Sequence, residues 1–321
     1  MNRTVKTWLI IAVSLIGLGL ISFAGVMVAY NRDFSRLSTM EYVTNTYEVD
    51  ADFDKMLIDV STTKVELVPS DDEQCKVVCT ELEKVKHSAI VQDGVLTIST
   101  VDTRKWYEHI GIFIGTMKIT VYLPQNEYDS LLIDTDTGNI DIPKDFAFEN
   151  IEIKGDTSDV VCLASVSNVL EIRLSTGDIT VEGSTAGDIN LATTTGRVTV
   201  DSVASKGNID IETDTGKVKL SDVACIDFSA ESETGTIIIE NVVAKGSFFI
   251  TTGTGDVRFK DSDAAEISIE TSTGDVTGTL LSEKVFITKT STGRVNIPKT
   301  ITGGKCEITT STGDIEITII P

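Results

Sequence analysis

The sequence predicts an all-β protein, a single-stranded stacked β-solenoid (a β-helix or β-roll) with coils of about 19–20 residues, preceded by one N-terminal transmembrane helix. Three observations lead to this prediction. A Thr-Gly pair recurs at a nearly constant interval, apolar and polar residues alternate on both sides of each pair, and a long uncharged stretch lies near the N-terminus. We expect three parts, residues 1–36, 37–130 and 131–321.

Residues 1–36 are predicted to form a cytoplasmic stub and a membrane anchor. The 24 residues from Thr7 to Tyr30 carry no charge, and about 20 apolar residues in a helix cross the hydrocarbon core of a bilayer. The tripeptide Met27-Val28-Ala29 resembles a signal-peptide cleavage site, but a signal peptide needs only about 7–15 apolar residues, so an uncleaved anchor is favoured. Arg3 and Lys6 precede the helix, which predicts a single-pass protein of the cell membrane with a cytoplasmic N-terminus and its bulk outside.

Residues 37–130 are predicted to be a β cap on the N-terminal end of the solenoid. The segment from Met56 to Leu67 resembles one degenerate coil, with Thr63 at the position that Gly occupies later. The residues that follow leave the repeat and contain a hairpin turn at Asp93-Gly94. We expect these hairpin strands to protect an otherwise open edge.

Residues 131–321 are predicted to form the regular coils. Ten marker positions lie 19 or 20 residues apart, with Gly at nine of them and Ser158 at the tenth, and Ile or Val stands two residues after every marker. Thr precedes all ten markers, at Thr137, Thr157, Thr176, Thr195, Thr215, Thr234, Thr254, Thr273, Thr292 and Thr312. Alternation with a period of two predicts strands with one buried face. If successive coils stack at the usual strand spacing of about 4.8 Å, the rod is on the order of 45 Å long.

The repeated corner suggests specific chemistry at each of its positions. Gly at the marker indicates either a positive backbone dihedral or a close approach of two backbones. The invariant Thr before it is expected to stack from coil to coil as a ladder of hydrogen-bonded hydroxyls. The residue after the marker is acidic in five coils and basic in three, which is too mixed for the regular ligand set of a calcium-binding solenoid, so a solvated polar turn is favoured over calcium binding.

The C-terminal end has no recognisable polar cap. The last residues, Ile317–Pro321, would leave the edge of the final coil open. Two alternatives follow: the coil is short and blunted by Pro321, or the edge pairs with another chain and the protein self-associates through it.

Composition and motifs argue against several classes of function. A net charge of −22 excludes a nucleic-acid-binding surface, because phosphates require basic patches. The five cysteines show neither a disulfide framework nor zinc-ligand spacing. No nucleophile elbow, phosphate-binding loop or His-Glu-x-x-His motif is present, and coils of constant length leave no long loops to wall a cleft. The sequence therefore predicts no catalytic residue, no cofactor and no metal site.

One irregular segment, Arg104–Phe113, has the composition of a contact site. Trp106, Tyr107 and Phe113 are the candidate residues for contact with a partner or with the membrane surface. The alternative is that Trp106 and Phe113 close the end of the solenoid core, and the sequence favours this second interpretation.

These features together resemble a large bacterial family whose members are described as putative adhesins with β-strand repeats and whose function is formally unknown. The resemblance is carried by the apolar N-terminus, the Ile58–Leu67 segment, the Leu123-Pro124 pair and the serial Ser-Thr-Gly-Asp-Ile units. It implies a protein of the bacterial cell envelope and supplies no catalytic residues. We expect a non-enzymatic, adhesin-like interaction module that binds an unknown protein or surface glycan. The alternative is the ectodomain of an envelope-stress sensing or regulatory system that binds a membrane partner.

Overall fold

The chain begins with one long apolar helix, as the uncharged N-terminal stretch predicts. In the computed structural model, which describes residues 3–32, 41–109 and 115–320, helix α1 spans Arg3–Ala29. Its mean hydropathy is 2.5 over its most apolar window, and it is long and apolar enough to cross a membrane.

Six strands and one short helix form the N-terminal part of the β structure. The strands are β1 (Tyr42–Val49), β2 (Lys55–Pro69), β3 (Cys75–Leu82), β4 (Val85–Gln92), β5 (Val95–Asp102) and β6 (Met117–Leu123). A 3-10 helix, Trp106–His109, lies between β5 and β6. The hairpin β4–β5 turns at Asp93-Gly94, where both residues have positive φ, as predicted from the sequence.

Ten coils follow, and each has a first strand that ends at the marker threonine and a second strand that starts after the corner. The first strands are β7 (Glu127–Thr137), β9 (Ala147–Thr157), β11 (Ser165–Thr176), β13 (Thr185–Thr195), β16 (Ile209–Thr215), β18 (Phe228–Thr234), β20 (Ser247–Thr254), β22 (Glu266–Thr273), β24 (Lys284–Thr292) and β26 (Gly304–Thr312). The second strands are β8 (Ile140–Ile142), β10 (Val160–Cys162), β12 (Ile179–Glu182), β14 (Val198–Asp201), β17 (Val218–Cys225), β19 (Ile237–Ala244), β21 (Val257–Ser262), β23 (Val276–Leu280), β25 (Val295–Asn296) and β27 (Ile315–Ile319), and β15 (Ala204–Ser205) lies on a short third side.

The coils stack in parallel and in register, which confirms the predicted β-solenoid. Marker threonines pair directly with one another from coil to coil, as Thr176 does with Thr195 and Thr215 with Thr234. The apolar positions of the alternation form continuous buried columns, such as Ile179, Val198 and Val218. One coil alone could not bury these side chains, so the stack is what creates the core.

Close backbone approach explains the glycine at the corner. A Cβ atom on Gly216 would lie 1.7 Å from the carbonyl oxygen of Gly196 in the preceding coil, and one on Gly235 would lie 1.6 Å from that of Gly216. No side chain fits at that distance. A second corner lies further along the second strand of several coils, and there the chain turns through a residue with positive φ. Ser202, Asp222 and Asn241 occupy this corner in three coils, with φ between 53° and 55°.

The N-terminal cap extends the stack by one further level. Thr62 of β2 pairs with Thr137 and Val65 pairs with Ile140, so β2 occupies the place of one more coil beneath β7–β8. The other side of β2 pairs with β5 and β6, so β2 lies inside the stack. Antiparallel strands then cover this end, with β4 on β5, β3 on β6 and β1 on β3.

The C-terminal coils do not stack in chain order, which corrects the prediction of sequential stacking. Thr273 pairs with Thr312, and Thr312 pairs on its other side with Thr292. The last coil, β26–β27, therefore lies between the β22–β23 coil and the β24–β25 coil. The open edge is β24–β25 and not the final strand, so the prediction that Ile317–Pro321 forms the edge is wrong.

The apolar content of the two coils explains this order. The inward positions of the last coil are Cys306, Ile308, Ile315 and Ile317, and all are buried. At the position of Ile308, the β24–β25 coil has Thr288, which is only partly buried. Exposing the more polar coil at the end and burying the more apolar one lowers the free energy of the stack.

Candidate interaction surfaces

The polar column after each corner glycine is a structural ladder. The Asp178 carboxylate accepts a hydrogen bond from the backbone N–H of Arg197 at 2.7 Å, and the N–H of Asp178 donates to the Asp159 carboxylate at 2.9 Å. The same bond recurs between Asp275 and the N–H of Asp314 at 2.7 Å. The favoured prediction of a merely solvated turn missed this role, because each carboxylate oxygen satisfies a backbone donor of the next coil.

A second column of hydroxyls is buried beneath the corners. Thr193 donates to the carbonyl of Gly177 at 3.1 Å, and Thr310 donates to that of Gly274 at 3.2 Å. These residues stand two positions before the marker threonines, which are themselves exposed. The predicted hydroxyl ladder between marker threonines is therefore wrong, since the buried hydroxyls bond to corner carbonyls instead.

The outer face of the first strands is strongly acidic in the middle of the stack. Glu212 and Glu231 are directly paired in register on β16 and β18, and Asp210 lies two residues before Glu212 on the same face. Ala192 of β13 stands beside Glu212, and its small side chain leaves a depression of about 190 Å³. Arg173 also lines this depression.

Asp210 lies among carboxylates of the neighbouring coils. Burial, followed by the charges of Asp188 and Asp227, raises the pKa of Asp210 above its ordinary value. Like charges that face each other across paired strands are destabilising. This crowding of negative charge is therefore a cost to the fold that a cationic partner would relieve.

A buried polar cluster fastens the N-terminal cap. Oxygen Oε2 of Glu81 accepts from the backbone N–H of His87 at 2.6 Å and lies 2.8 Å from Nδ1 of the same residue. Oxygen Oε1 lies 2.5 Å from Nδ2 of Asn45 and 3.5 Å from the Tyr47 hydroxyl. The Tyr47 hydroxyl donates its proton to the His87 carbonyl at 2.6 Å. The contacts of Glu81 and Tyr47 together connect β1, β3 and β4.

The same cluster has the residue types of a metal site. Among the described residues, Cys79, Glu81 and His87 are the one group whose ligand atoms, all within 4.8 Å of one another, could hold a metal ion. Burial, and then the Glu81 charge, raises the pKa of the Cys79 thiol to about 12, so it is protonated at neutral pH. An ion would have to replace the hydrogen bonds of Glu81 and deprotonate this thiol, and the contacts support a structural role.

The predicted contact residues lie on an exposed turn of the cap. The Trp106 side chain is 79% exposed and that of Tyr107 is 49% exposed, and their rings meet edge to face with centroids 5.9 Å apart. Trp106 therefore does not close the core, and the interpretation that the sequence favoured is wrong for this residue. Phe113 lies outside the described residues.

Hydrogen bonds and an ion pair hold this turn in place. The Glu108 carboxylate accepts from the backbone N–H of Lys105 at 2.9 Å and pairs with the ammonium group of Lys84. The Thr103 N–H donates to the Lys84 carbonyl at 2.9 Å, which attaches the turn to the start of β4. The two aromatic rings are thus presented to the exterior by a fixed backbone.

Comparison with known proteins identifies similar sequences and folds. The family model described as Toastrack DUF4097 matches residues 53–213 and 204–320. No curated protein matches the chain.

Two solved structures from Parabacteroides species have the same fold. The chain is 15% identical to a protein from Parabacteroides distasonis called a putative adhesin, with a TM-score of 0.50 over 87% of this chain and 98% of that one. It is also 15% identical to a protein of the same description from Parabacteroides merdae, with a TM-score of 0.50 over 75% of this chain and 97% of that one. At this level of identity the similarity shows the fold alone.

Proposed function

Because the chain belongs to the Toastrack DUF4097 family, we propose that it is a non-enzymatic, adhesin-like interaction module of the cell envelope. In this proposal α1 anchors the protein in the cell membrane with its N-terminus in the cytoplasm, and the solenoid stands outside. The three parts have distinct tasks: residues 1–36 anchor the chain, residues 37–130 cap the stack and residues 131–321 present the binding face. The hydropathy of α1 supports the anchor, and the coils of constant length support a surface that binds without catalysis.

The acidic face around Asp210, Glu212 and Glu231 is the proposed binding surface, and the register pairing of Glu212 with Glu231 is the observation that carries it. Like charges paired across neighbouring strands are unfavourable for the fold, and a cationic partner would offset that cost. The partner is expected to carry ammonium or guanidinium groups, either on a basic protein surface or on an amino-bearing surface glycan. Its association should weaken as salt increases.

Crosslinking in intact cells tests this proposal. The variant Asp210→Asn, Glu212→Gln, Glu231→Gln should lose the crosslinked partner, while its free energy of unfolding stays the same or increases. The matched control, Glu182→Gln, Asp201→Asn, Glu240→Gln, removes three charges from the second strands of the coils and should retain the partner. Loss in both variants, or in neither, would contradict the assignment of the acidic face.

A deletion distinguishes the proposed role from its alternative, the ectodomain of an envelope-stress sensing or regulatory system. Without residues 1–36, an adhesin-like module should still bind cells or matrix when it is presented alone. A regulatory ectodomain should instead lose its function and co-purify with membrane proteins only as the full chain. Binding by the deleted form supports our proposal, and its failure together with membrane partners of the full chain supports the alternative.

A further inference from the structure

The exposed aromatic turn lies beside the point where the chain arrives from the membrane anchor. Tyr42, the first residue of β1, pairs with Leu82, and the Glu83 N–H donates to the Glu41 carbonyl at 3.4 Å. Lys84 follows immediately and holds the turn through Glu108. The start of β1 and the Trp106 turn therefore belong to the same end of the cap.

The tether between α1 and β1 is short. Helix α1 ends at Ala29 and β1 begins at Tyr42, which leaves twelve residues, numbers 30–41. Even fully extended, twelve residues span only about 40 Å. The side of the cap at which the chain arrives is thus kept close to the bilayer that holds the helix.

The turn has the chemistry of the membrane–water interface. Exposed Trp and Tyr side chains favour the headgroup level, where an apolar ring and a polar edge are both satisfied. Residues 102–108 contain two acidic and two basic side chains, so the turn is formally neutral within a chain of net charge −22. Anionic headgroups would repel most of the protein surface, but they would not repel this turn.

We propose that Trp106 and Tyr107 insert into the interfacial region of the bilayer and form a second attachment of the protein to the membrane. This inference rests on the proposed anchoring by α1. The attachment would fix the cap against the bilayer and limit the directions in which the solenoid can point. The bilayer is the occupant that we assign to this turn, because the twelve residues between α1 and β1 keep the start of β1 within about 40 Å of the end of the helix.

Fluorescence of a single tryptophan tests the inference in the full chain. The protein has two tryptophans, Trp8 in α1 and Trp106, so Trp8→Phe leaves Trp106 as the sole emitter. In phosphatidylcholine vesicles, we expect a blue-shifted emission that lipids brominated in the upper acyl chain reduce by about twofold or more, with poor quenching by acrylamide. Emission typical of water, quenched by acrylamide and unaffected by brominated lipid, would overturn the inference.

A second emitter provides the matched control. Phe249 is 53% exposed on β20, in the regular coils. With Trp8 and Trp106 both changed to Phe, Phe249→Trp should be quenched by acrylamide and not by brominated lipid. Quenching of both emitters by brominated lipid would indicate nonspecific adsorption of the solenoid and would contradict a specific insertion of the Trp106 turn.

Extraction with alkaline carbonate separates this inference from the proposed function. If the full chain is washed off the vesicles, α1 does not anchor it and the proposed function fails. If the chain resists extraction but Trp106 remains in water, the anchor stands and the second attachment fails. The variant Trp106→Ala should still float with the vesicles, because α1 alone suffices for insertion.

Discussion

At the corner of each coil, adjacent residues satisfy different requirements of stacking. The glycine removes a Cβ atom that would collide with the preceding coil, and the following Asp or Asn binds a backbone N–H of the next coil. The hydrogen bond uses the backbone N–H of the donor residue, so it does not depend on the side chain of that residue. The column can therefore be mixed, with Arg197 donating its N–H to Asp178 although Arg197 offers no carboxylate itself.

Removing one carboxylate of this ladder should weaken the stack by a small amount. For Asp178→Ala we expect the free energy of unfolding to fall by about 0.5–1 kcal/mol, because one backbone donor then bonds only to water. Lys217 occupies the same column, so Lys217→Ala is the control and should change stability by less than about 0.5 kcal/mol. Urea unfolding of the full chain in detergent micelles measures both, and equal effects would refute the ladder.

The glycine should be far less tolerant than the carboxylate. In Gly216→Ala the new Cβ would lie 1.7 Å from the Gly196 carbonyl oxygen, so two coils must separate and the expected loss is about 3 kcal/mol. Gly183 stands at the second corner with φ of 63° and open space around it. Because Asn241 holds the equivalent corner, Gly183→Asn should stay within about 0.5 kcal/mol of the parent. A mild Gly216→Ala in the same unfolding measurement would contradict the close approach.

Sequence reasoning at the residue scale succeeded where the repeat applies. The period of two assigned the buried columns correctly, because a one-residue shift would turn every apolar side chain outward. The period of two could not predict whether Trp106 is buried or exposed, because the turn that contains it has no periodic pattern. The exposure of this side chain depends on how the turn is attached to β4 and β5. The buried Glu81 cluster was also missed, because its members lie on different strands and show no spacing signal.

At the scale of elements, β24 is the open edge at the C-terminal end of the stack. Among the described residues, its outer side has no strand partner, and Ile287 on this strand is 50% exposed. Lys289 on β24 and Pro298 after β25 are residue types that discourage further strand pairing. Self-association through the C-terminal end remains a proposal, and it now involves β24 in place of the last strand.

Replacing the edge lysine should promote pairing between chains. Lys289→Ile gives β24 a longer apolar row, and we expect the association constant from sedimentation velocity to rise about tenfold. Lys154 lies in the corresponding column of the interior strand β9, where both sides are paired. Lys154→Ile adds the same side chain without an open edge and should leave association unchanged. Equal association of both variants would show that hydrophobicity, and not the edge, drives it.

At the scale of the whole molecule, two coils lie between coils that do not flank them in sequence. Each of these two coils has a spatial neighbour on both sides, but the order of the three coils in space differs from their order along the chain. Strand β2 lies between β5–β6 and β7–β8, and β26–β27 lies between β22–β23 and β24–β25. A repeat of 19–20 residues cannot reveal this order, because a coil has the same length whether it stacks on the next coil or on the one after it. The sequence therefore predicted the solenoid and its register but not the arrangement at its ends.

Truncation tests the order of the coils directly. Without residues 304–321, the β24–β25 coil loses the coil on which it stacks, so residues 281–303 should become sensitive to protease. Limited proteolysis with mass spectrometry should show cleavage throughout this segment and protection of residues before Leu280. Sequential stacking would instead leave the β24–β25 coil protected. The full chain under the same protease is the reference.

The enclosed position of β26–β27 has a consequence for how the chain is made. Polypeptides are synthesised from the N-terminus, so domains can begin to fold while the ribosome is still adding residues. Most coils here can dock as soon as they emerge, each on its predecessor. The Lys284–Asn296 segment cannot, because the coil on which it docks, β26–β27, is translated after it. This end of the rod therefore acquires its final arrangement only after residues 304–319 have been made.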